Sequence, residues 1–207
     1  MEVTSALVLM ASAIFVVELT DKDALLLLAL ATRTKQSLVF AAGVTAFTIT
    51  TAIIVTIGHF LVSAFPVFWI KIAGGVIMIV YGLWEFFKVS KEKEEKELAK
   101  DRNKLLAYSS RRSLLSAFAG MVSMLAILDL AGDATEILTI VFVARFGNAL
   151  FVFVGALMGL VAATAVETAI GSQLTKVFSL ARIRLFSLGV FLIVGSALII
   201  TTALLPV

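Results

Sequence analysis

The chain has 207 residues, of which 61% are hydrophobic and only 15% are charged, and its mean hydropathy is +1.10. This composition excludes an ordinary soluble globular domain and predicts a protein whose solvent is lipid. The net charge of +3 comes largely from loop residues, so it does not indicate nucleic-acid binding. The absence of cysteine excludes disulfides and thiolate metal sites but leaves the compartment open.

Six apolar segments are long enough to cross about 30 Å of hydrocarbon as helices. They cover residues 5–31, 38–62, 67–87, 113–141, 148–171 and 185–205. We therefore predict an all-α integral membrane protein with six transmembrane helices. The first segment is not expected to be a cleaved signal peptide, because no basic residue precedes it and it leads into acidic residues rather than a small-residue cleavage site.

Residues 88–112 form a hydrophilic stretch with nine basic and five acidic side chains. We interpret it as a solvated, partly helical cytoplasmic linker, with a lipid-binding or protein-binding segment as the alternative. The linker divides the chain into a first half, residues 1–87, and a second half, residues 113–207. Each half carries three of the predicted transmembrane helices.

The basic residues are distributed unequally between the two sides of the membrane. If the N-terminus is non-cytoplasmic, the predicted cytoplasmic loops hold the nine basic residues of the linker and Arg33, Lys35, Lys176, Arg182 and Arg184. Only Lys71 and Arg145 lie on the other side. Because cytoplasmic loops are rich in lysine and arginine, both termini are predicted to be non-cytoplasmic.

The two halves resemble each other at an offset of 112 residues. This offset aligns Asp21 with Asp133, Leu26 with Leu138, Arg33 with Arg145, Leu38 with Leu150 and Gly43 with Gly155. Since each half has an odd number of spans, the second copy is expected to be inverted relative to the first. Inverted repeats are typical of secondary transporters, whose binding sites lie near the membrane midplane between the repeats.

Two acidic clusters lie inside apolar segments, at residues 18–23 and 129–136. A carboxylate near the bilayer centre costs a few kcal/mol, so such acids are usually functional. On continuous helices, one face is expected to carry Glu18, Asp21 and Lys22, and another to carry Asp129, Asp133 and Glu136. Asp23 points away from the first face. A helix break within either cluster is left open by the sequence, because both contain residues that loosen the helical backbone.

Oxygen ligands dominate these clusters. Without cysteine, and with His59 interpreted as an interfacial residue, they favour hard cations such as Ca²⁺, Mg²⁺ or Mn²⁺ over Zn²⁺ or Cu⁺. Buried acids that repel one another are expected to hold protons when the site is empty, so a divalent ion must displace protons to bind. Alternate opening of such a site to the two sides would exchange cations for protons.

The clusters resemble the motif Glu-apolar-Gly-Asp-Lys-(Ser/Thr) of the Gdt-type Golgi manganese and calcium transporters, which are cation/proton exchangers of the lysine-exporter and calcium:cation antiporter superfamily. In the first cluster Glu18, Asp21 and Lys22 match the motif. Thr20 replaces the glycine there and Asp23 replaces the hydroxyl residue.

The second cluster departs further from the motif. It keeps Gly132, Asp133 and Thr135, whereas Ala134 replaces the lysine. Leu130 occupies the glutamate position, with Asp129 one residue earlier and Glu136 where the family often has glutamine. The chain is identified as a divergent member of the family.

The resemblance implies a non-enzymatic exchanger of Mn²⁺ or Ca²⁺, with Mg²⁺ as a further candidate, for protons. No cofactor besides the transported cation is expected. The residues expected to bind the metal are Glu18, Asp21, Asp129, Asp133 and Glu136. Those expected in the second shell or in proton coupling are Thr20, Lys22, Asp23, Thr135 and Glu167.

Several alternatives stay open. Lys22 is either a tethered cation that leaves its acids when metal arrives or a structural salt-bridge partner. Glu167 is either a proton relay or ligand, or it bonds a neighbouring helix. Rival functions are a passive cation channel, an intramembrane aspartyl protease using Asp21 and Asp133, and a non-transporting scaffold. The partners expected are the cation, the proton and the lipid bilayer, with no nucleic acid, and a homo-oligomer is left open.

Overall fold

A computed structural model describes residues 3–19, 22–32, 34–88, 99–100, 103–104, 107, 113–130, 134–177 and 180–204. This part of the chain contains eight helices of at least ten residues. In chain order they are α1 (Val3–Leu19), α2 (Lys22–Ala31), α3 (Gln36–Ala64), α4 (Val67–Lys88), α5 (Leu114–Asp129), α6 (Ala134–Phe146), α7 (Ala149–Val177) and α8 (Leu180–Leu204). Most of the linker at residues 88–112 lies outside the described residues.

Three of the described helices are long and apolar enough to cross a membrane, by segments Gln36–Ala64, Val67–Trp84 and Ala149–Ile170. The helices α5 and α6 pass the same test together as a fourth span, which is bent by 69°. Shorter apolar helices are Val3–Leu19 and, within α8, Leu188–Leu204. The predicted class, an all-helical membrane protein, is thus supported. Within the described residues three helices pass this test, or four spans if the bent pair is one span, so the six predicted spans are not confirmed.

Short polar turns separate the long helices. The side chain of Ser113 accepts a hydrogen bond of 3.1 Å from the Ser116 backbone N–H and so caps the start of α5. Between α6 and α7, Gly147 has a left-handed backbone with φ of 68°, and the Asn148 side chain accepts from the Phe151 backbone N–H at 3.0 Å. The turn at Gly147 and Asn148 joins α6 to α7 within a few residues.

The two halves of the chain pack on each other more than on themselves. The helices α1 and α2 lie mainly against α7, whereas α5 and α6 lie mainly against α3. The most extensive pairing joins α4 to α8, the last helix of each half. The long helix α7 therefore supports the shorter helices α1 and α2, and the long helix α3 supports the shorter helices α5 and α6.

Small residues let these helices approach closely, as expected of helix packing in membranes. A Cβ atom added to Gly75 on α4 would lie 2.8 Å from the Gly195 carbonyl oxygen on α8, and one added to Gly195 would lie 2.7 Å from the Gly75 carbonyl oxygen. On α7, a Cβ added to Gly159 would lie 2.5 Å from the Ala11 carbonyl oxygen of α1. These glycines are therefore close-packing positions.

Exposed aromatic side chains lie at both ends of α4. Phe68 and Trp69 stand at its beginning, just after Phe65 at the end of α3, and Trp84, Phe86 and Phe87 stand near its end. The exposed residues between them are aliphatic, including Val76, Ile77 and Val80. Aromatic belts around an aliphatic stretch are typical of helices that cross a bilayer.

Candidate cation-binding site

The two acidic clusters meet through a hydrogen bond between Glu18 and Thr135. The Thr135 hydroxyl donates to Glu18 Oε2 at 3.0 Å, and both side chains are buried. Glu18 is the penultimate residue of α1, and Thr135 is the second residue of α6. Because helix N-termini carry a partial positive charge, this position at the start of α6 stabilises a carboxylate.

Thr135 is itself held by its own helix. Its backbone carbonyl accepts a hydrogen bond of 2.8 Å from the buried hydroxyl of Thr139, one turn later. The Thr139 hydroxyl is thereby directed to the backbone, whereas the Thr135 hydroxyl is directed to the carboxylate. Two threonines of the same helix thus have different partners.

The second cluster places its acids on two different helices. Asp129 is the last residue of α5 and is buried, whereas Glu136 lies in the first turn of α6 and is partly buried. The axes of these helices differ by 69°. The helix break that the sequence left open is thus present between α5 and α6, so Asp129 and Glu136 do not share the face that a continuous helix would give them.

The buried faces of α1 and α5 correspond at an offset of 111 residues. The buried row of α1 includes Ala6, Met10, Ile14 and Glu18, and that of α5 consists of Ala117, Met121, Leu125 and Asp129. Leu130, which occupies the glutamate position at an offset of 112, is 40% exposed. Asp129 is thus the structural counterpart of Glu18. The sequence signal for this is the shared spacing of four residues, which the sequence interpretation missed.

Five of the predicted site residues lie wholly or partly outside the described residues. Thr20, Asp21 and Asp133 lie outside the described residues, as do the side chains of Lys22 and Asp23. Within the described part of the chain, no three histidine, aspartate or glutamate side chains are grouped closely enough to hold a metal ion. The expected ligand set stays a prediction.

Glu167 is fully buried in α7, on the face that packs against other helices. Its neighbours on that face include Thr164 and Thr168, which are also buried. The hydroxyls of both threonines donate to carbonyls of their own helix, to Leu160 at 2.8 Å and to Thr164 at 2.7 Å. The described structure thus gives α7 a buried carboxyl group outside both acidic clusters.

Apolar membrane-length helices, a bent span and buried carboxyl groups at the helix ends are typical of helical membrane transporters. The family model described as divalent cation/proton antiporter GDT1 matches residues 6–93 and again residues 117–204. Since these two matches cover most of the sequence, the chain belongs to the GDT1 family, as the sequence predicted. Membership in a family of antiporters supports cation transport and agrees with a transporter rather than an enzyme.

The two matches begin at Ala6 and Ala117, the first residues of the two buried rows, and thus have the same offset of 111 residues. No curated protein and no solved structure matches the chain significantly.

Proposed function

We propose that this protein exchanges a divalent cation for protons at a site formed by both acidic clusters. The observation that carries the proposal is the hydrogen bond of 3.0 Å between Thr135 and Glu18, which joins the clusters inside the protein. An acid buried at a junction of two halves is suited to an ion that is released to either side by relative movement of those halves.

Electrostatics at Asp129 support a cation at this junction. Asp129 is buried at the C-terminal end of α5, where the partial charge of the helix is negative. A cation bound at this carboxylate would offset the negative partial charge of the helix end, and a proton would compete with the cation for the same group.

Inverted repeats are supported by the way the helices pair. If α1 to α4 correspond to α5 to α8, the pairing of α1 with α7 corresponds to that of α5 with α3. The pairing of α2 with α7 likewise corresponds to that of α6 with α3. The helices α3 and α7 have 29 residues each. This exchange of partners is expected when two copies of one unit pack around a two-fold axis.

Six spans would follow if α1 with α2, and α5 with α6, each cross the membrane as one broken helix. The halves, residues 1–87 and 113–207, would then have three spans each and opposite orientation. The excess of basic residues in the loops supports a cytoplasmic linker at residues 88–112 and non-cytoplasmic termini.

The ligand chemistry supports Mn²⁺ or Ca²⁺ as the transported cation, because the clusters provide carboxylates and hydroxyls and the chain has no cysteine. The carboxylates that we assign to the cation are Glu18, Asp21, Asp129, Asp133 and Glu136. The surrounding groups that we assign to the second shell are Thr20, Lys22, Asp23 and Thr135.

The test is reconstitution into liposomes that contain a divalent-ion reporter and a pH reporter. The native chain is expected to move Mn²⁺ or Ca²⁺ in one direction and protons in the other. Glu18→Gln, Asp21→Asn, Asp129→Asn and Asp133→Asn are each expected to abolish both signals. The matched control is Ser123→Ala on α5, because the exposed Ser123 hydroxyl donates only to the Ala119 carbonyl of its own helix in the described contacts.

The outcomes separate the rival functions. Cation entry without opposite proton movement would indicate a passive channel and would contradict the proposed antiport. Full transport by all four acid variants would contradict the proposed carboxylate site, even if the native chain performed antiport. Loss of both signals in the acid variants, with Ser123→Ala unaffected, supports the site.

A further inference from the structure

We infer that Glu167 is a proton-binding residue, distinct from the cation-binding acids and placed on one side of them. This inference rests on the proposed antiport and deepens it, because it separates the group that carries a proton from the groups that hold the cation. It depends on the position of Glu167 in α7, on the contacts between α7 and α1, and on the residue that occupies the corresponding place in α3.

Close contacts fix the register between α1 and α7. A Cβ added to Gly155 would lie 2.7 Å from the Met10 side chain, and one added to Gly159 would lie 2.9 Å from Cβ of Ile14. An advance of four residues on one helix thus matches an advance of four residues on the other, so the two helices run in the same direction.

One further turn along both helices brings Glu18 level with Ala163. Ala163 is the fifteenth of the 29 residues of α7 and is buried. Glu18 is therefore level with the middle of this helix. Glu167 lies four residues beyond Ala163, which is about 6 Å along the axis at 1.5 Å per residue. The two fully buried glutamates are thus separated by about one helical turn in depth.

The displacement has a direction. The C-terminal end of α7 carries Lys176 and is the cytoplasmic end in the proposed orientation. Glu167 then lies on the cytoplasmic side of Glu18. A carboxyl group at this depth can exchange protons between the cytoplasmic side and the cation-binding acids.

The other half of the chain has no corresponding acid. Aligning α3 with α7 from their first residues places Ile54 at the position of Glu167. Ile54 is buried, so this position faces the protein interior in both halves. A glutamate at this position of α7 and an isoleucine at the matching position of α3 make the two halves chemically unequal at this depth.

The charged environment of Glu167 is set by the helices packed against α7, which are α1, α2, α3 and α6. The titratable residues that these helices carry are Glu18 on α1, Lys22 and Asp23 on α2, His59 on α3, and Glu136 and Arg145 on α6. Among these acids, Glu18 is the one whose depth relative to α7 is defined by the contacts between α1 and α7. The charge of a cation bound at Glu18 would act on Glu167, which lies about one helical turn away in depth.

The experiment compares two modes of transport by the same vesicles, which must be sealed and of known orientation. One mode is exchange of labelled for unlabelled cation, with whichever of Mn²⁺ and Ca²⁺ the native chain transports, and it requires no net proton movement. The other is cation-driven proton movement. In Glu167→Gln the second mode is expected to fall about tenfold or more, since positioned acid–base groups contribute at least this much to proton transfer, while the first is retained.

Two further variants complete the design. Glu167→Asp keeps a titratable carboxyl and is expected to restore coupled transport, with a shifted dependence on cytoplasmic pH. Thr168→Val is the control for a change at this depth of α7, because the Thr168 hydroxyl donates to carbonyls of its own helix. It is expected to leave both modes intact.

Two results overturn the inference. Coupled proton movement at the native rate in Glu167→Gln shows that the carboxyl is not needed, and equal loss of both modes, unrelieved in Glu167→Asp, shows a structural or cation-binding role. Failure of the proposed antiport is a separate outcome, because the native chain would then show no coupled proton movement.

Discussion

Glu18 and Thr135 are 117 residues apart in the sequence, yet their side chains are joined by a hydrogen bond of 3.0 Å in the interior. The contact connects the end of one helix to the beginning of another from the opposite half of the chain. It orients one oxygen of the Glu18 carboxylate.

Removal of this hydrogen bond should weaken cation binding. A hydrogen bond to a charged group contributes about 1.5–3 kcal/mol, so Thr135→Val is expected to raise the Kd for the transported cation about tenfold or more. Thr135→Ser keeps the hydroxyl and is expected to restore most of the affinity. Titration of the purified protein with Mn²⁺ and Ca²⁺ measures the effect.

The control for this change lies one turn away. Thr139 is buried on the same helix, but its hydroxyl donates to the backbone carbonyl of Thr135. Thr139→Val is expected to change the Kd by less than about threefold, because only a neutral hydrogen bond is lost. Equal weakening by both valine variants would contradict a specific role for the Thr135 hydroxyl.

A lysine at position 134 should oppose cation binding. Ala134 is fully buried beside Thr135, at the place where the first cluster has Lys22. A positive charge there would repel a divalent ion near Glu18, so Ala134→Lys is expected to raise the Kd about tenfold or more. Ala134→Met adds similar volume without charge and separates crowding from electrostatics. Comparable Kd values for the two variants would count against the charge argument.

The contact between α4 and α8 should be sensitive to a single methyl group. Gly195→Ala places a Cβ within 2.7 Å of the Gly75 carbonyl oxygen, and such overpacking costs about 1–3 kcal/mol. A lower Tm in detergent is expected. At Gly189 on the same helix, an added Cβ meets no described atom within 4 Å, so Gly189→Ala should leave the Tm unchanged or slightly higher. A higher Tm for Gly195→Ala would show that the helices separate without cost.

The length of the side chain at position 129 should affect the preference between cations. Asp129 is the counterpart of Glu18 in the buried rows but is one methylene shorter. If both carboxylates contact the cation, Asp129→Glu moves one ligand and changes the cavity, so the preference between Mn²⁺ and the larger Ca²⁺ is expected to change. The ratio of the two transport rates is the measurement. An unchanged ratio would place Asp129 away from the ion.

Hydropathy predicted the positions of the long helices well. The predicted segments 38–62, 67–87 and 148–171 correspond to α3, α4 and α7, because a membrane-length apolar run has no alternative to helix in lipid. The break between α5 and α6 could not be predicted from hydropathy, since a bent span and a straight span have the same composition.

The sequence predicted which clusters carry the acids but not how the second one is aligned. Alignment of Asp21 with Asp133 gives an offset of 112 residues. Applied to the whole repeat, this offset aligns Leu130 with Glu18. Burial of Asp129 and exposure of Leu130 show the offset of 111 residues within α1 and α5. An insertion between two helices changes the repeat offset of one helix and leaves that of the other unchanged. A single sequence does not show which of the two helices has the changed offset.

The exchange of partners between the halves also constrains how the chain can be assembled. Since α1 and α2 pack mainly on α7, their largest supporting surface is synthesised well over a hundred residues after them. The first half is therefore expected to remain incompletely packed in the membrane until the second half has been inserted. A chain that contained the first half alone would lack the helix on which α1 and α2 mainly pack.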